Sequence, residues 1–175
     1  LIDLPGTYSI SSHDLAEKVA RDFLLSGEVD ALINVVDASM LSRSLEFSLQ
    51  LTEMRVPMVM CLNMMDEAQR KGMEINTPRL EELLGVPVRT AVAVVGTGID
   101  EVFRQAIRVA GGLVPSVEPR YDNDVEQALA RLLDGYPKPL RDALPLSERF
   151  VTLRLLEKDE DFEKKVGAAS PEFLA

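Results

Sequence analysis

The sequence predicts an α/β fold built on a parallel sheet, followed by a unit that is helical throughout. Two nearly continuous apolar runs, residues 31–38 and 56–64, are typical of strands buried on both faces of a sheet. Helical patterns precede and follow each run, as in βαβ units. After Gly112 the strand signals stop and helical patterns continue. These observations place the sheet in the first part of the chain.

A weaker third strand pattern covers residues 86–94, and four helical patterns separate or follow the strands. Asp14 and Glu17 form a capping box that predicts the start of the first helix, and Gly27 suits its exit. Pro78 and Gly85 mark the beginning and end of the third. The four helical patterns are residues 12–27, 41–52, 76–85 and 98–112.

Three segments follow from these patterns. Residues 1–112 form the predicted α/β domain, and residues 113–123, which lack periodicity, form a linker. Residues 124–175 contain two helical patterns, 124–135 and 147–159. About 50 residues are few for an independent domain, so we expect this to be part of a larger helical domain.

The composition is that of a soluble globular protein. Apolar residues make up 46% of the 175 positions, and no run approaches the length that a membrane-spanning helix requires. The formal net charge of −10 argues against a nucleic-acid-binding protein. A single cysteine, Cys61, excludes a disulfide framework and favours a reducing, cytoplasmic setting.

A first candidate site lies at the beginning of the chain, where two apolar residues lead into Asp3 and Gly6. We interpret this as the carboxyl end of a strand, the edge at which open α/β sheets bind ligands. Asp3 could hold Mg²⁺ through water, and Gly6 would let its backbone N–H approach a terminal phosphate. An ordinary turn needs the same two residues and stays the alternative at this point.

A second candidate site is the loop 63–66, directly after the second apolar run. The carboxylate of Asp66 could accept hydrogen bonds from the ring N–H and the amine of guanine, a donor pair that adenine lacks. Asn63 would brace the loop, and Met64 lies between the two. The alternative is that Asn63 and Asp66 cap a helix. In a third loop, the backbone N–H of Ala93 could contact the carbonyl oxygen of guanine.

These motifs, in this order, resemble the cytoplasmic GTPase domain of the bacterial ferrous-iron transporter B family. The resemblance rests on "DLPGTYSIS", "EKVARDFLL", "INVVDASMLSRSLEFSLQL" and "VPMVMCLNMMDEAQRKG", and covers most of residues 1–110. It implies a P-loop GTPase-like (Ras-like) fold, GTP and GDP as ligands, and Mg²⁺ with K⁺ as an additional cation. The helical segment resembles the family's next domain, which stabilises the GDP-bound state. In the last guanine loop, Val92-Ala93 replaces the family's usual Ser-Ala and keeps the backbone contact.

The resemblance also implies parts that the 175 residues do not contain. The P-loop motif Gly-x-x-x-x-Gly-Lys-Ser/Thr is absent, and we expect it upstream of Leu1. Its strand would lie between that of Asp3 and residues 31–38, so we expect the first segment to be displaced. We also expect weak or undetectable nucleotide binding by this chain and no useful GTP turnover. Thr7 occupies the position where many GTPases carry a catalytic Gln, and is a candidate for contacting the attacking water.

The family further implies a membrane transport domain beyond Ala175 and a location at the cytoplasmic face of the bacterial inner membrane. Open sheet edges could make the chain a homo-oligomer. Two alternatives remain: a soluble GTPase of RNA or ribosome maturation, and a nucleotide-free interaction module on the same fold. The acidic helical tail argues against the first, and the presence of both Asn63 and Asp66 argues against the second.

Overall fold

The computed structural model describes residues 1–6, 15–113, 119–144 and 146–174. Its contacts divide these residues into two compact units, one extending to Pro119 and the other beginning at Arg120. No helix in the described ranges is long and apolar enough to cross a membrane.

The first unit contains a parallel sheet. Its three strands are β1 (Leu32–Asp37), β2 (Met58–Asn63) and β3 (Val88–Thr90), in the spatial order β1-β2-β3. The register places Asp37 beside Asn63, and Leu62 beside Thr90. The carboxyl ends of all three strands therefore meet at one edge of the sheet.

Five helices accompany the sheet: α1 (Leu15–Leu25), α2 (Leu41–Glu53), α3 (Met65–Arg70), α4 (Thr77–Leu84) and α5 (Ile99–Ala110). The ends of α4 show how local sequence sets these bounds. Asn76 accepts a hydrogen bond from the backbone N–H of Arg79 at 3.0 Å, and Gly85 ends the helix with φ of +67°. The second strand is the central one, and α5 packs against it. The core on that side of the sheet is formed by Val59, Cys61, Ala91, Val102 and Ala106, with Ile33 and Ile99 at its margin.

The second unit is helical in its described residues. It contains α6 (Asn123–Asp134), α7 (Lys138–Ala143), α8 (Glu148–Leu156) and α9 (Glu160–Ala169). Phe150 and Phe162 are fully buried and meet edge to face, with ring centroids 5.5 Å apart. This contact joins α8 to α9 within the unit.

The predicted α/β class is confirmed, and two local predictions are wrong. Residues 1–6 form no strand, since a strand needs the backbone of a neighbour and this segment pairs with no described strand; Ile2 is 63% exposed. The third strand is limited to Val88–Thr90, since the chain then turns back on itself. Helices α3, α7 and α9 have no counterpart among the helical patterns predicted from the sequence.

Candidate functional site

The loops after β2 and β3 are joined by hydrogen bonds at the carboxyl edge of the sheet. The side-chain Oδ1 of Asn63 accepts the backbone N–H of Ala93 at 2.9 Å. A second hydrogen bond joins the same two loops with donor and acceptor reversed: the N–H of Met65 donates to the carbonyl oxygen of Ala91 at 3.3 Å. Asn63 and Ala93, predicted from sequence to lie near one base, are therefore in direct contact.

The backbone at Met64 adopts an unusual conformation. Its φ of +60° lies in the left-handed region, which costs a residue with a Cβ about 1 kcal/mol or more. Met64 immediately precedes α3, and 40% of its surface is exposed. This turn allows the chain to leave β2 and begin α3 within two residues. The side chain of Met64, directly after β2, is thus exposed at the edge of the sheet.

Asp66 lies in the first turn of α3 and is exposed to solvent. Its Oδ2 is 3.6 Å from Nη2 of Arg70, whose shorter contact, at 2.5 Å, is with Glu67. The ion pair between Arg70 and Asp66 is loose and exposed, so it contributes little. The carboxylate of Asp66 is accessible to a donor pair from a ligand.

The structure does not show the helix-capping alternative for Asn63. The residue at the N-cap of α3 is Met64, and no side chain caps this helix. The oxygen of Asn63 instead bonds to the loop after β3. Its side chain thus connects two loops at the edge where parallel sheets bind ligands.

The loop 91–98, after β3, is folded tightly on itself. Val92 and Thr97 exchange two backbone hydrogen bonds, of 3.0 and 3.2 Å. Ala93–Val95 forms a short 3-10 turn between them, and Val94 is 96% exposed at its tip. The N-cap residue of this turn, Val92, has an apolar side chain that cannot cap it, so the loop relies on its backbone hydrogen bonds and on the contact between Ala93 and Asn63.

The loop after β1 also contacts this region. This contact was not predicted from the sequence. Asp37 accepts the N–H of Ser39 at 2.8 Å, and Nζ of Lys71 donates to Oγ of Ser39 at 3.0 Å. These contacts connect the end of β1 to the end of α3. An Asp at a strand end followed two residues later by Ser is a signal for such a turn.

The predicted phosphate-side residues are not part of this cluster. Asp3 and Gly6 lie in the exposed segment 1–6, and no hydrogen bond between described residues joins Asp3 to either guanine loop. Thr7, Asp14 and the remainder of residues 7–14 lie outside the described residues. Within the described ranges, no group of three or more metal-binding side chains occurs. Asp3 alone does not make a magnesium site, since Mg²⁺ takes about six oxygen ligands.

The model of one family, ferrous iron transport protein B, matches residues 1–106. The chain belongs to the ferrous iron transport protein B family. Family members with similar sequences include the Fe(2+) transporter FeoB of Escherichia coli K12, 37% identical over 97% of this chain, and that of Salmonella choleraesuis, 45% identical over 91%. A third, from Porphyromonas gingivalis, is an Fe(2+) transport protein A/Fe(2+) transporter FeoB fusion protein, 36% identical over 95% of the chain.

This member of the ferrous iron transport protein B family spans only part of those relatives. The matched region is 22% of the E. coli protein, 21% of the Salmonella protein and 20% of the fusion protein. Among solved structures, NFeoB from S. thermophilus bound to GDP·AlF₄⁻ and K⁺ is 38% identical and matches with a TM-score of 0.84. That match covers 94% of this chain and 63% of the other. NFeoB from the same organism with bound mGMPPNP matches with a TM-score of 0.82, covering 93% and 60%.

Proposed function

We propose that this chain is the base-recognition part of the guanine-nucleotide-binding domain of a ferrous iron transporter, in which GTP hydrolysis gates iron uptake. The observation that carries the proposal is the hydrogen bond between Asn63 and Ala93, which brings the two guanine loops together beside Asp66. The family relationship supports it, and solved relatives are bound to GDP·AlF₄⁻ or mGMPPNP.

Each residue has a separate role in this proposal. The carboxylate of Asp66 accepts the ring N–H and the amine of guanine, and the N–H of Ala93 donates to the base carbonyl. Asn63 holds the loop that carries Ala93. Met64 and Val92 line the base, and both supply apolar surface. Because the N–H of Ala93 already donates to Asn63, a bound guanine must share this donor or displace the Asn63 oxygen.

The phosphate side requires more than the described residues provide. Asp3 would hold Mg²⁺ through water and Gly6 would admit the terminal phosphate, with Mg²⁺ and K⁺ neutralising charge on the phosphates. Thr7 would contact the attacking water. The single exposed carboxylate of Asp3 fits this arrangement only with phosphate oxygens as further ligands.

The wider organisation follows the same proposal. Residues 1–112 are the nucleotide-binding domain, residues 113–123 a linker, and residues 124–175 part of a helical domain that stabilises the GDP-bound state. In the intact protein these would lie at the cytoplasmic face of the bacterial inner membrane, attached to a membrane transport domain beyond Ala175. In this chain, without the P-loop strand that would pair with it, β1 has an open edge among the described residues, and this edge gives the proposed homo-oligomer of the chain a location.

The test is a titration of this chain with GDP, ADP and xanthosine diphosphate in the presence of Mg²⁺. Because the phosphate-binding motif is absent, we expect any binding of GDP to be weak, and we expect ADP not to compete with it. In Asp66→Asn the amide presents one acceptor and one donor, which matches the ring N–H and the C2 carbonyl of xanthine. This variant should lose at least about tenfold in GDP affinity and bind xanthosine diphosphate instead, since an unmatched polar group in a site is costly.

Glu82→Gln is the matched control, because it neutralises an exposed carboxylate on α4 that pairs with Arg79. Its base preference should equal that of the original chain. Equal binding of GDP and ADP by the original chain would contradict the proposal and favour the nucleotide-free interaction module.

A further inference from the structure

We propose that Arg89 is a positioning residue for base recognition, and that it sets the preference for purines with an oxygen at C6. The inference rests on the proposed function. Arg89 lies on β3, immediately before the loop that carries Ala93.

The two ends of loop 91–98 lie on different elements. The loop begins where β3 ends at Thr90, and it ends where α5 begins at Ile99. Gly98 has φ of +81°, and a Cβ at this position would lie 2.1 Å from the carbonyl oxygen of Thr90. The ends of the loop are therefore in close contact, and a small shift of α5 against β3 would move the loop as a whole.

The guanidinium of Arg89 connects β3 to the helix that follows the loop. Its Nη2 donates to Oε1 of Gln105 at 3.2 Å, and its Nε lies 3.5 Å from Oε1 of Glu101. Both partners belong to α5, and Gln105 is only 3% exposed. On the other side, Nη1 lies 2.5 Å from Oε1 of Glu81 in α4. That oxygen also accepts the backbone N–H of Val88 at 2.8 Å.

This arrangement uses the geometry that distinguishes arginine from lysine. A planar guanidinium presents several donors in a fixed fork, so one side chain can satisfy acceptors on two helices together. An ammonium group has no such fork. Arg89 thus fixes both ends of the loop against a buried acceptor, which pre-organises the N–H of Ala93.

The consequence is specific to one edge of the base. In the proposed site, the N–H of Ala93 meets the C6 oxygen, whereas Asp66 on α3 meets the N1–H and the C2 amine. The side chain of Arg89, itself on β3, makes the contacts described above with α4 and α5. A change at Arg89 should therefore weaken recognition at C6 and leave recognition at C2 intact.

The experiment compares guanosine with 6-thioguanosine, which differs only by a poor acceptor at C6, and with inosine, which lacks the C2 amine. Binding is followed by NMR titration of the full chain. In Arg89→Met we expect the preference for guanosine over 6-thioguanosine to fall at least about fivefold, with the preference over inosine unchanged. Arg89→Lys should behave like Arg89→Met. The control is Arg79→Met, which removes an exposed arginine of α4 that pairs with Glu82.

A second measurement needs no ligand. Amide hydrogen exchange should rise at least about tenfold at Val92, Ala93 and Thr97 in Arg89→Met, with the amides of β1 and β2 unchanged. Unchanged exchange in the loop overturns the inference, and so does a loss of protection throughout the unit, which would make Arg89 merely structural.

The binding outcomes separate the two proposals. If the original chain prefers guanosine to adenosine and Arg89→Met keeps its discrimination against 6-thioguanosine, the inference on Arg89 is wrong and the proposed function stands. If the original chain shows no preference for guanosine over adenosine, the proposed function fails, and the specificity role of Arg89 fails with it.

Discussion

Gly98 is the residue on which the geometry of the third loop depends most directly. Its φ of +81° disfavours any residue with a Cβ, and a Cβ would overlap the carbonyl oxygen of Thr90 at 2.1 Å. Because that oxygen belongs to backbone, it cannot move aside as the end of a side chain could. Gly98→Ala should lower the free energy of unfolding by more than about 2 kcal/mol, measured by urea denaturation.

Gly96 provides the matched comparison within the same loop. Its φ of +76° is almost the same, but no atom lies within 4 Å of the position a Cβ would take. Gly96→Ala should therefore cost only the backbone strain, about 1 kcal/mol. An equal loss of unfolding free energy in the two variants would show that the positive φ alone sets the cost and that the contact with Thr90 adds nothing.

For individual residues, the sequence predicts that the side chains of the two guanine loops lie near each other, but not the hydrogen bonds and ion pairs that hold these loops in place. Asn63 and Ala93 follow two neighbouring parallel strands, so their proximity could be predicted from strand order alone. Arg89 could not be identified in this way, because its partners Glu81, Glu101 and Gln105 come from two helices whose relative placement depends on the packed sheet. No spacing along the chain signals such a contact.

At the scale of elements, the sequence predicts well those segments whose burial is uniform. The strand β2 is buried at all but its last residue and gives a continuous apolar run. In the helix α9, five of the ten residues are charged and only Phe162 and Val166 are buried, so the apolar periodicity is too weak to predict it. The segment 1–6 shows the opposite error, since a strand pattern does not form a strand without a partner.

The junction of α6 and α8 yields a prediction on acid stability. The two nitrogens of Arg149 donate to the carboxylate of Glu126 at 2.7 and 3.0 Å, and the N–H of Tyr121 donates at 2.9 Å. These hydrogen bonds lower the pKa of Glu126 to about 2, and those from Arg149 have the largest effect. The stabilisation is complete above about pH 5, where this carboxylate is ionised in both the folded and unfolded chain. It is lost as the pH falls towards 2, because the unfolded chain then binds the proton more readily.

Glu126→Gln tests this by urea denaturation between pH 7 and pH 2.5. The variant should be less stable than the original chain at pH 7, and the difference should shrink towards pH 2.5. Glu160→Gln is the control, because Glu160 pairs with Lys164 at 3.6 Å and both side chains are exposed. A difference for Glu126→Gln that stays constant with pH would show that the ionised carboxylate is not what joins the helices.

At the scale of the whole molecule, the chain combines the proposed base-recognition loops with the absence of the motif that binds phosphates in P-loop GTPases. Its 175 residues contain no Gly-x-x-x-x-Gly-Lys-Ser/Thr sequence. That motif supplies the backbone cradle and the lysine that hold the phosphates, and the hydroxyl that binds Mg²⁺. In the proposed site, the loops around Asn63, Asp66 and Ala93 would contact only the base. Binding energy in this chain should therefore come almost entirely from the purine.

This leads to a quantitative expectation for a series of ligands that differ only in phosphate number. Guanosine, GMP, GDP and GTP should bind with affinities within about threefold of one another, since tenfold corresponds to about 1.4 kcal/mol and the described residues of the proposed site offer no phosphate contact of that size. Mg²⁺ should have little effect, and GTP hydrolysis should not exceed the background rate. The measurement is an NMR titration with each ligand, followed by a phosphate-release assay. A steep rise in affinity from guanosine to GDP would mean that other residues of the chain bind phosphate, and Asp3 and Gly6 would be the first to substitute.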